Sequence, residues 1–178
     1  MRSSYKVVEA NGIYFVSSTI VEWIPIFTHE KYFQIIIDSL NFSRSEKDLK
    51  IYHYVIMDNH FHLIVKHPKL SDVMRSLKGF TAEKILEELK KDKNNWKINL
   101  LRYYKKKHKD TSNYQVWQEG FHPQLITSYK MLAQKVEYLH YNPVKRGFVN
   151  KSEDWKYSSA GNCNWDGSVI VELDELDF

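Results

Sequence analysis

The chain has 178 residues and a mass of 21.3 kDa, with 43% hydrophobic and 27% charged residues, which is typical of one globular domain. This composition argues against a disordered chain, and no apolar stretch approaches the ~20 residues of a membrane span. The N-terminal residues lack the apolar core of a secretory signal, and the single Cys163 excludes an internal disulfide framework and a multi-cysteine zinc site. We therefore expect a cytoplasmic protein.

Positive charge is concentrated in one stretch of the sequence. Residues 90–109, called the basic block below, contain nine Lys or Arg and one acidic residue, although the whole chain carries only a net charge of +4. The last eighteen residues contain five acidic residues and no Lys or Arg. A positive block on a mildly acidic body indicates a polyanionic partner, or equally a solvated lysine-rich surface.

The first half of the chain predicts a strand, a helix and a hairpin. Residues 13–20 are rich in β-branched and aromatic residues, as strands are. A helix is expected to start near Thr28 and to continue through residues 32–40. Residues 51–56 alternate like a half-buried strand, and a short turn connects them to a second strand over residues 60–66.

The second half predicts two further helices. One runs from Leu70 to about Leu89 with Ser71 as its cap, and the basic block that follows is expected to be partly irregular. A last strand is possible at residues 124–128. Ser128 then caps a helix from Tyr129 to about Asn142, because Pro143 disfavours helical conformation in the residue before it.

The resulting element order is β-α-β-β-α-β-α. One antiparallel sheet with helices packed on it, a ferredoxin-like α+β arrangement, fits this order.

Two histidines flank Phe61 on the predicted second hairpin strand. Side chains at positions i and i+2 share one face of a strand, so His60 and His62 project together while Phe61 points to the core. Neutral imidazoles are good ligands for a divalent metal ion. Taken alone, however, a His-x-His pair is more often an ordinary surface pair than a metal site.

The last predicted helix carries a tyrosine and an asparagine four residues apart. This spacing places Tyr138 and Asn142 on one helical face, where a phenol and an amide oxygen could act together. The ordinary alternative is a buried helical tyrosine and an asparagine that ends the helix before a proline.

Several motifs, in the same order along the chain, resemble the IS200-like single-tyrosine transposases. The run MDNHFHLIV resembles their His-hydrophobic-His strand, and VEYLHYNPVKRGFV resembles the tyrosine helix of the REP-associated branch. Three further segments resemble the same branch, namely LKGFTA, VWQEGFH and EDWKYSS. The resemblance covers roughly residues 10 to 160, so we expect one domain over 1–160 and an acidic tail of unassigned role over 161–178.

This resemblance implies a chemistry and a set of residues. It implies a divalent ion, Mg²⁺ or Mn²⁺, held by His60, His62 and, as third ligand, Asn142, with Tyr138 as the catalytic nucleophile. It implies single-stranded DNA with an imperfect hairpin, REP-like or from a transposon end, as the substrate. Asp58 stands where many members have proline, either as a turn residue or as a carboxylate beside the metal.

Basic and aromatic side chains supply candidates for DNA binding. Phosphates attract Lys and Arg, and aromatic rings can stack on unpaired bases. Trp96, Trp117, Tyr103 and Tyr104 are such rings, although each could instead belong to the core. The candidate phosphate-binding residues are Arg102, Lys105, Lys106, Lys107, Lys109, Lys145 and Arg146.

The function expected from these features is a metal-dependent single-stranded DNA endonuclease and strand-transferase that works through a 5′-phosphotyrosine. Two alternatives stay open. The protein could be a domesticated DNA-binding protein of the same fold that does not cut, or a metal-dependent phosphoesterase that uses water. We expect a monomer or homodimer that is cytoplasmic and associates with the nucleoid when bound to DNA.

Overall fold

The computed structural model describes residues 6–108, 112–164 and 166–176. The strands and helices in chain order are β1 (Ile13–Thr19), α1 (Glu30–Lys47), β2 (Lys50–Ile56), β3 (His60–Lys66), α2 (Leu70–Lys91), α3 (Asn95–Tyr103), β4 (Gln124–Leu125) and α4 (Tyr129–Lys145). Short 3-10 turns occupy Val21–Trp23 and Ser152–Asp154. Of the helices described, none is both long and apolar enough to cross a bilayer.

The four strands form one sheet in the order β2-β3-β1-β4. All three strand pairs are antiparallel, and β3 lies in the centre between β1 and β2. The elements follow in the order β-α-β-β-α-α-β-α, in which α3 is an addition to the predicted order. The strand order is that of a ferredoxin-like fold, so the predicted fold class is confirmed.

Helices cover both faces of the sheet. On one face, Phe61 and Leu63 of β3 pack with Tyr14 and Val16 of β1 in the larger core. This core also contains the buried apolar residues of α1 and α2. Phe15 and Ile64 lie on the opposite face, in a second cluster that includes Leu139 of α4. Because strand side chains alternate between faces, His60 and His62 lie on the α4 face while Phe61 is buried in the larger core, as predicted.

Two helix boundaries differ from the sequence-based expectation. α1 ends at Lys47, seven residues beyond Leu40, where Asp48 adopts a left-handed conformation and its N–H donates to the Ser43 carbonyl. α2 begins at Leu70, so Ser71 lies inside its first turn and Lys69 is the residue before the helix. Leu70 is fully buried, and this packing fixes the start of the helix in place of the expected serine cap.

α4 begins as predicted but ends later. The Ser128 side chain accepts a hydrogen bond from the Met131 N–H and so caps the helix. The helix continues through the buried Pro143 to Lys145, so the expected end at Asn142 is wrong by three residues. At the end of the helix, the Arg146 N–H donates to the Asn142 carbonyl and closes the last turn.

The basic block is more regular than expected. Its first residues complete α2, and residues 95–103 form α3, which begins when the Asn94 side chain accepts a hydrogen bond from the Lys97 N–H. Ile98 and Leu101 of α3 are buried in the larger core, which explains why this lysine-rich stretch is helical. Lys109 lies outside the described residues.

The acidic C-terminal segment packs on the sheet and on α1. Ile170 and Val171 are buried in the larger core. Asp174 exchanges backbone and side-chain hydrogen bonds with Ile51 of β2, and its carboxylate pairs with Arg44 of α1. This stretch of the expected tail is therefore part of the folded body.

Candidate functional site

His60 and His62 occupy the first half of the central strand β3. In the register with β1, His60 lies opposite Thr19 and His62 lies opposite Ser17. Both imidazoles are buried, and their ring centroids are 4.8 Å apart at an interplanar angle of 72°. The sequence prediction that they share one face is confirmed by this arrangement.

A hydrogen bond fixes the orientation of each imidazole. Nδ1 of His62 shares a 2.6 Å hydrogen bond with Ser17 Oγ, and Nδ1 of His60 shares a 2.7 Å hydrogen bond with Asn59 Oδ1. Nε2 of His62 is buried and has no hydrogen-bond partner among the residues that the structure describes. Such an orphaned polar atom in a folded protein calls for a partner that the chain itself does not supply.

Burial keeps both imidazoles neutral. It lowers the pKa of His62 to about 3, with smaller contributions from the charges of His60 and Lys135. It lowers the pKa of His60 to about 4, with a smaller contribution from Arg146. At neutral pH each ring therefore offers a lone pair rather than a positive charge, which is the state needed to bind a cation.

One face of α4 lies over the histidines. The Tyr138 ring makes a T-shaped contact with His62 at a centroid distance of 5.4 Å, and a second with Phe15 at 5.9 Å. Two helical turns later, the Arg146 guanidinium lies 3.7 Å from the Asp58 carboxylate. Since residues four apart share a helical face, Asn142 lies between these two contacts on the same side of α4.

Asn142 is buried and incompletely bonded. Its Nδ2 atom has no hydrogen-bond partner within the described part of the chain. Rotating the amide by 180° exchanges its nitrogen and oxygen, so the side chain can present Oδ1 at that position instead. A buried amide between Tyr138 and Arg146 is thus free to serve as an oxygen ligand.

These observations test whether the residues fit a divalent ion. Two neutral imidazoles with fixed rings, an orphaned Nε2 and a buried amide without a partner form a small set of N and O donors. No group of three or more His, Cys, Asp or Glu suited to a metal occurs in the described ranges, so the amide would have to complete the set. The residues present fit the group that the family resemblance implies.

Asp58 faces α4 rather than serving only as a turn residue. Its backbone carbonyl accepts a hydrogen bond from the Phe27 N–H, and its side chain pairs with Arg146. The pair connects the β2–β3 turn to the end of the tyrosine helix. Of the two phosphate-binding residues that the sequence predicts after the helix, Arg146 lies close enough to His60 to influence it, and Lys145, the last residue of α4, is exposed.

Sequence reasoning missed three side chains of this site. Ser17 and Asn59 orient the histidines, and Lys135 projects from α4 one turn before Tyr138, with its Nζ 4.7 Å from the Phe15 ring centroid and 2.6 Å from Gln124 Oε1. Burial lowers the pKa of Lys135. The spacing of Lys135 from Tyr138 and Asn142, three and seven residues, was the one available signal for its position.

Several residues of the basic block that were predicted to bind phosphate already contact other side chains of the protein. Arg102 bonds to the Tyr114 hydroxyl and covers that ring, and Lys106 pairs with Glu119 at 3.1 Å. Lys107 is exposed, as are the rings of Trp96, Tyr103 and Tyr104. Trp117 is buried and donates to Thr81, so it belongs to the core rather than to a DNA-binding surface.

Comparison with known proteins supports the sequence resemblance. Residues 25–109 match a family model described as "Transposase IS200 like". A protein of Haemophilus influenzae named as a REP-associated tyrosine transposase is 30% identical over 104 residues, which are 58% of this chain and 54% of that relative. The chain thus spans about half the length of this curated relative.

A solved structure is similar to the whole fold. It is a REP-associated tyrosine transposase bound to a REP hairpin, and it superimposes with a TM-score of 0.67 at 18% sequence identity. The match covers 99% of this chain and 94% of the other. At this level of identity, the likeness establishes that the two chains share a fold.

Proposed function

Because this chain is related to the IS200-like transposases, we propose that it is a metal-dependent tyrosine transposase that nicks and rejoins single-stranded DNA bearing a hairpin. The observation that carries this proposal is the contact between Tyr138 and His62. It places an exposed phenol, 48% accessible, directly beside a buried imidazole whose Nε2 lacks a partner.

Tyr138 is the proposed nucleophile because of its position on α4. Tyr141 is similarly exposed, but it lies three residues further along the helix and outside the row formed by residues 138, 142 and 146. The ring contacts of His62 within the described residues come from Phe15, His60 and Tyr138. Tyr138 is therefore the tyrosine that can approach a phosphate held near the histidines.

The proposed reaction exchanges one phosphodiester for another. The Tyr138 oxygen attacks phosphorus and loses its proton to solvent, the bond from phosphorus to the DNA 3′-oxygen breaks, and that oxygen leaves as a 3′-hydroxyl. The product is a 5′-phosphotyrosine, which stores the bond so that another 3′-hydroxyl can reverse the step without ATP.

His60, His62 and Asn142 are the residues that would hold a divalent ion, Mg²⁺ or Mn²⁺. When bound, such an ion neutralises charge on the phosphate and favours in-line attack. Arg146 supplies a positive charge near His60, and its guanidinium lies 3.7 Å from the Asp58 carboxylate. The hydrogen bonds of His62 with Ser17 and of His60 with the Asn59 Oδ1 acceptor keep the imidazoles oriented.

The hairpin substrate rests on the related proteins. The solved structure with the same fold is bound to a REP hairpin, and we extend that substrate class to this chain. A domesticated binding protein would not need an exposed tyrosine beside the histidines, and a water-using phosphoesterase would form no covalent adduct with DNA.

The adduct provides the test. A hairpin oligonucleotide labelled at its 3′ end should become linked to the wild-type protein on a denaturing gel, because that label stays with the 5′-phosphate fragment. Tyr138→Phe removes only the nucleophilic oxygen, so adduct formation should fall at least about 100-fold while DNA binding survives.

Tyr141→Phe is the matched control and should form adduct normally. If Tyr138→Phe still forms adduct, the nucleophile is another tyrosine. If the wild type cuts DNA but never becomes linked to it, water is the nucleophile and the phosphoesterase alternative is correct.

A further inference from the structure

An exposed tryptophan lies beside His60 in an unusual backbone conformation. Trp23 is 56% accessible, and its ring makes a T-shaped contact with His60 at a centroid distance of 5.6 Å. Both Glu22 and Trp23 have positive φ, 50° and 55°, in the left-handed region that side chains with a Cβ rarely adopt. Two consecutive residues in this region at an active-site border indicate a function for the strain.

Hydrogen bonds hold this turn in place. The Trp23 N–H donates to the Ile20 carbonyl, and the Ile20 N–H donates to the Asn59 carbonyl. The Asn59 side chain is buried; its Nδ2 donates to the Trp23 carbonyl at 2.9 Å, and its Oδ1 bonds to His60 Nδ1 at 2.7 Å. One amide thus connects the backbone of the exposed tryptophan to a candidate metal ligand, so the indole and the imidazole are positioned together.

Packing does not explain this tryptophan. The neighbouring residues Val21 and Ile24 are buried in the larger core, whereas the Trp23 ring faces solvent. An aromatic ring on a backbone that is already held in place loses little conformational entropy when it binds a flat ligand. The solvent-exposed indole beside His60 is therefore a preformed stacking surface.

Charge around the turn distinguishes a base from a phosphate as the occupant. Glu22 is exposed next to Trp23 and repels phosphate, whereas the positive charges of Arg146 and Lys135 lie toward the two histidines. A nucleotide whose phosphate lies at the histidines can place its base, but not another phosphate, on the indole.

We propose that Trp23 stacks on an unpaired DNA base adjacent to the phosphate that Tyr138 attacks. This inference rests on the proposed function for the position of the phosphate, and it adds a residue that fixes the strand beside that phosphate. Because every base has a flat face, stacking here holds the strand without strong preference for one base.

The test uses the full chain and a defined probe. The probe is the hairpin oligonucleotide that the wild-type protein retains most tightly from a pool with randomised unpaired flanks. Each unpaired nucleotide is replaced in turn by an abasic one, and dissociation constants are measured by fluorescence anisotropy. One position next to the cleavage point should show a loss of about 5- to 150-fold, the range for removal of one base–aromatic stack.

In variants that lack the Trp23 ring, the abasic replacement should no longer weaken binding. With Trp23→Ala the intact probe should bind about 5- to 150-fold more weakly, and the abasic replacement should have no further effect, because both changes remove the same contact. Trp23→Phe should restore most of the binding. Trp23→Gly should bind as weakly as Trp23→Ala yet melt at no lower temperature, because glycine tolerates the positive φ.

A matched control is Phe42→Ala. Phe42 is 55% accessible and lies on α1, which packs on the opposite face of the sheet from the histidines, so binding should not change. The inference is overturned if Trp23→Ala binds the probe like the wild type, or if the abasic profile is the same in both.

The outcomes also separate this inference from the proposed function. If the abasic replacement weakens binding equally in the wild type and in Trp23→Ala, while the wild type still forms the Tyr138 adduct, only the stacking surface is overturned. If the abasic replacement weakens binding in the wild type but not in Trp23→Ala, and no adduct ever forms, the stacking surface is supported and the proposed reaction is overturned. A wild-type chain that retains no oligonucleotide from the pool overturns both.

Discussion

His60 and His62 owe their chemical state to burial on the central strand. Neither ring has a carboxylate partner at hydrogen-bond distance in the described part of the chain; Ser17 and Asn59 bond to them instead. A neutral hydroxyl or amide orients an imidazole without adding negative charge. An ion bound at this site would therefore keep its full double charge for the phosphate.

Replacing both histidines tests this role. His60→Ala combined with His62→Ala should lower cleavage by about 100-fold or more in Mg²⁺ or Mn²⁺, since the ion's contribution to the transition state would be lost. Hairpin binding, measured by anisotropy in EDTA, should change less than about threefold. The control is His53→Ala, another imidazole on the same face of the sheet, which should cut at nearly the wild-type rate. Full cleavage by the double variant would show that the histidines do not hold the ion.

At this scale the sequence predicted the central residues but not their supports. The two-residue spacing of His60 and His62 suffices to place them together, because strand geometry has a fixed period. Asn59 was not predicted, because its hydrogen bond to Trp23 depends on a left-handed turn 36 positions earlier in the chain. Contacts of this kind arise from the tertiary fold, and local sequence patterns do not predict them.

The tyrosine helix α4 shows how packing overrides a local preference. Proline at position 143 predicts a helix end at Asn142, yet Pro143 is buried and the helix runs to Lys145. The extra turn keeps Arg146 on the row of Tyr138 and Asn142. Had the helix stopped at Asn142, Arg146 would not continue this row to a point 3.7 Å from Asp58.

The basic block should control the salt dependence of DNA binding. Replacing Lys105, Lys106 and Lys107 by alanine should reduce the slope of log affinity against log salt by about 2, since each phosphate contact on a single strand contributes about 0.7. Binding is measured between low and moderate salt with the hairpin probe.

The matched control for that experiment replaces three lysines outside the block, Lys47, Lys69 and Lys84. Their loss should leave the slope unchanged. The Lys106–Glu119 ion pair offers a finer comparison: if that pair holds in the complex, the double variant Lys105→Ala and Lys107→Ala should account for most of the change. An unchanged slope in the triple variant would make the block a solvated surface.

At the scale of the whole molecule, Asp174 connects the C-terminal segment to the sheet. Burial raises the pKa of its carboxyl, but hydrogen bonds from the Ile51 N–H, Arg44 and Lys50 outweigh that effect, so the pKa is lowered overall. Its carboxylate is therefore charged and fully bonded at neutral pH. The sequence did not predict where this segment packs, because an acidic composition alone does not identify the residues that it contacts.

Removing this carboxylate should destabilise the protein. Asp174→Ala removes the side-chain acceptor of the Ile51 N–H and leaves Arg44 paired with the exposed Glu172 only. We expect a loss of about 1–3 kcal/mol in the free energy of unfolding, measured in urea at pH 7.5. Glu172→Ala is the control, since its side chain is largely exposed, and should cost less than about 0.5 kcal/mol. Equal stability of the Asp174 variant and the wild type would show that the segment is only loosely attached.

The same C-terminal contacts have a consequence for self-association. β2 is an outer strand, and an outer strand with free backbone groups invites pairing with a strand of another molecule. Here the N–H groups of Ile51 and Ile56 bond to Asp174 and Tyr157, and the Tyr54 carbonyl accepts from Ser159. β4, on the other side, has only two residues. The sheet is thus closed to edge-to-edge extension at β2, and a second copy of this chain could lengthen the sheet only along the short β4 edge.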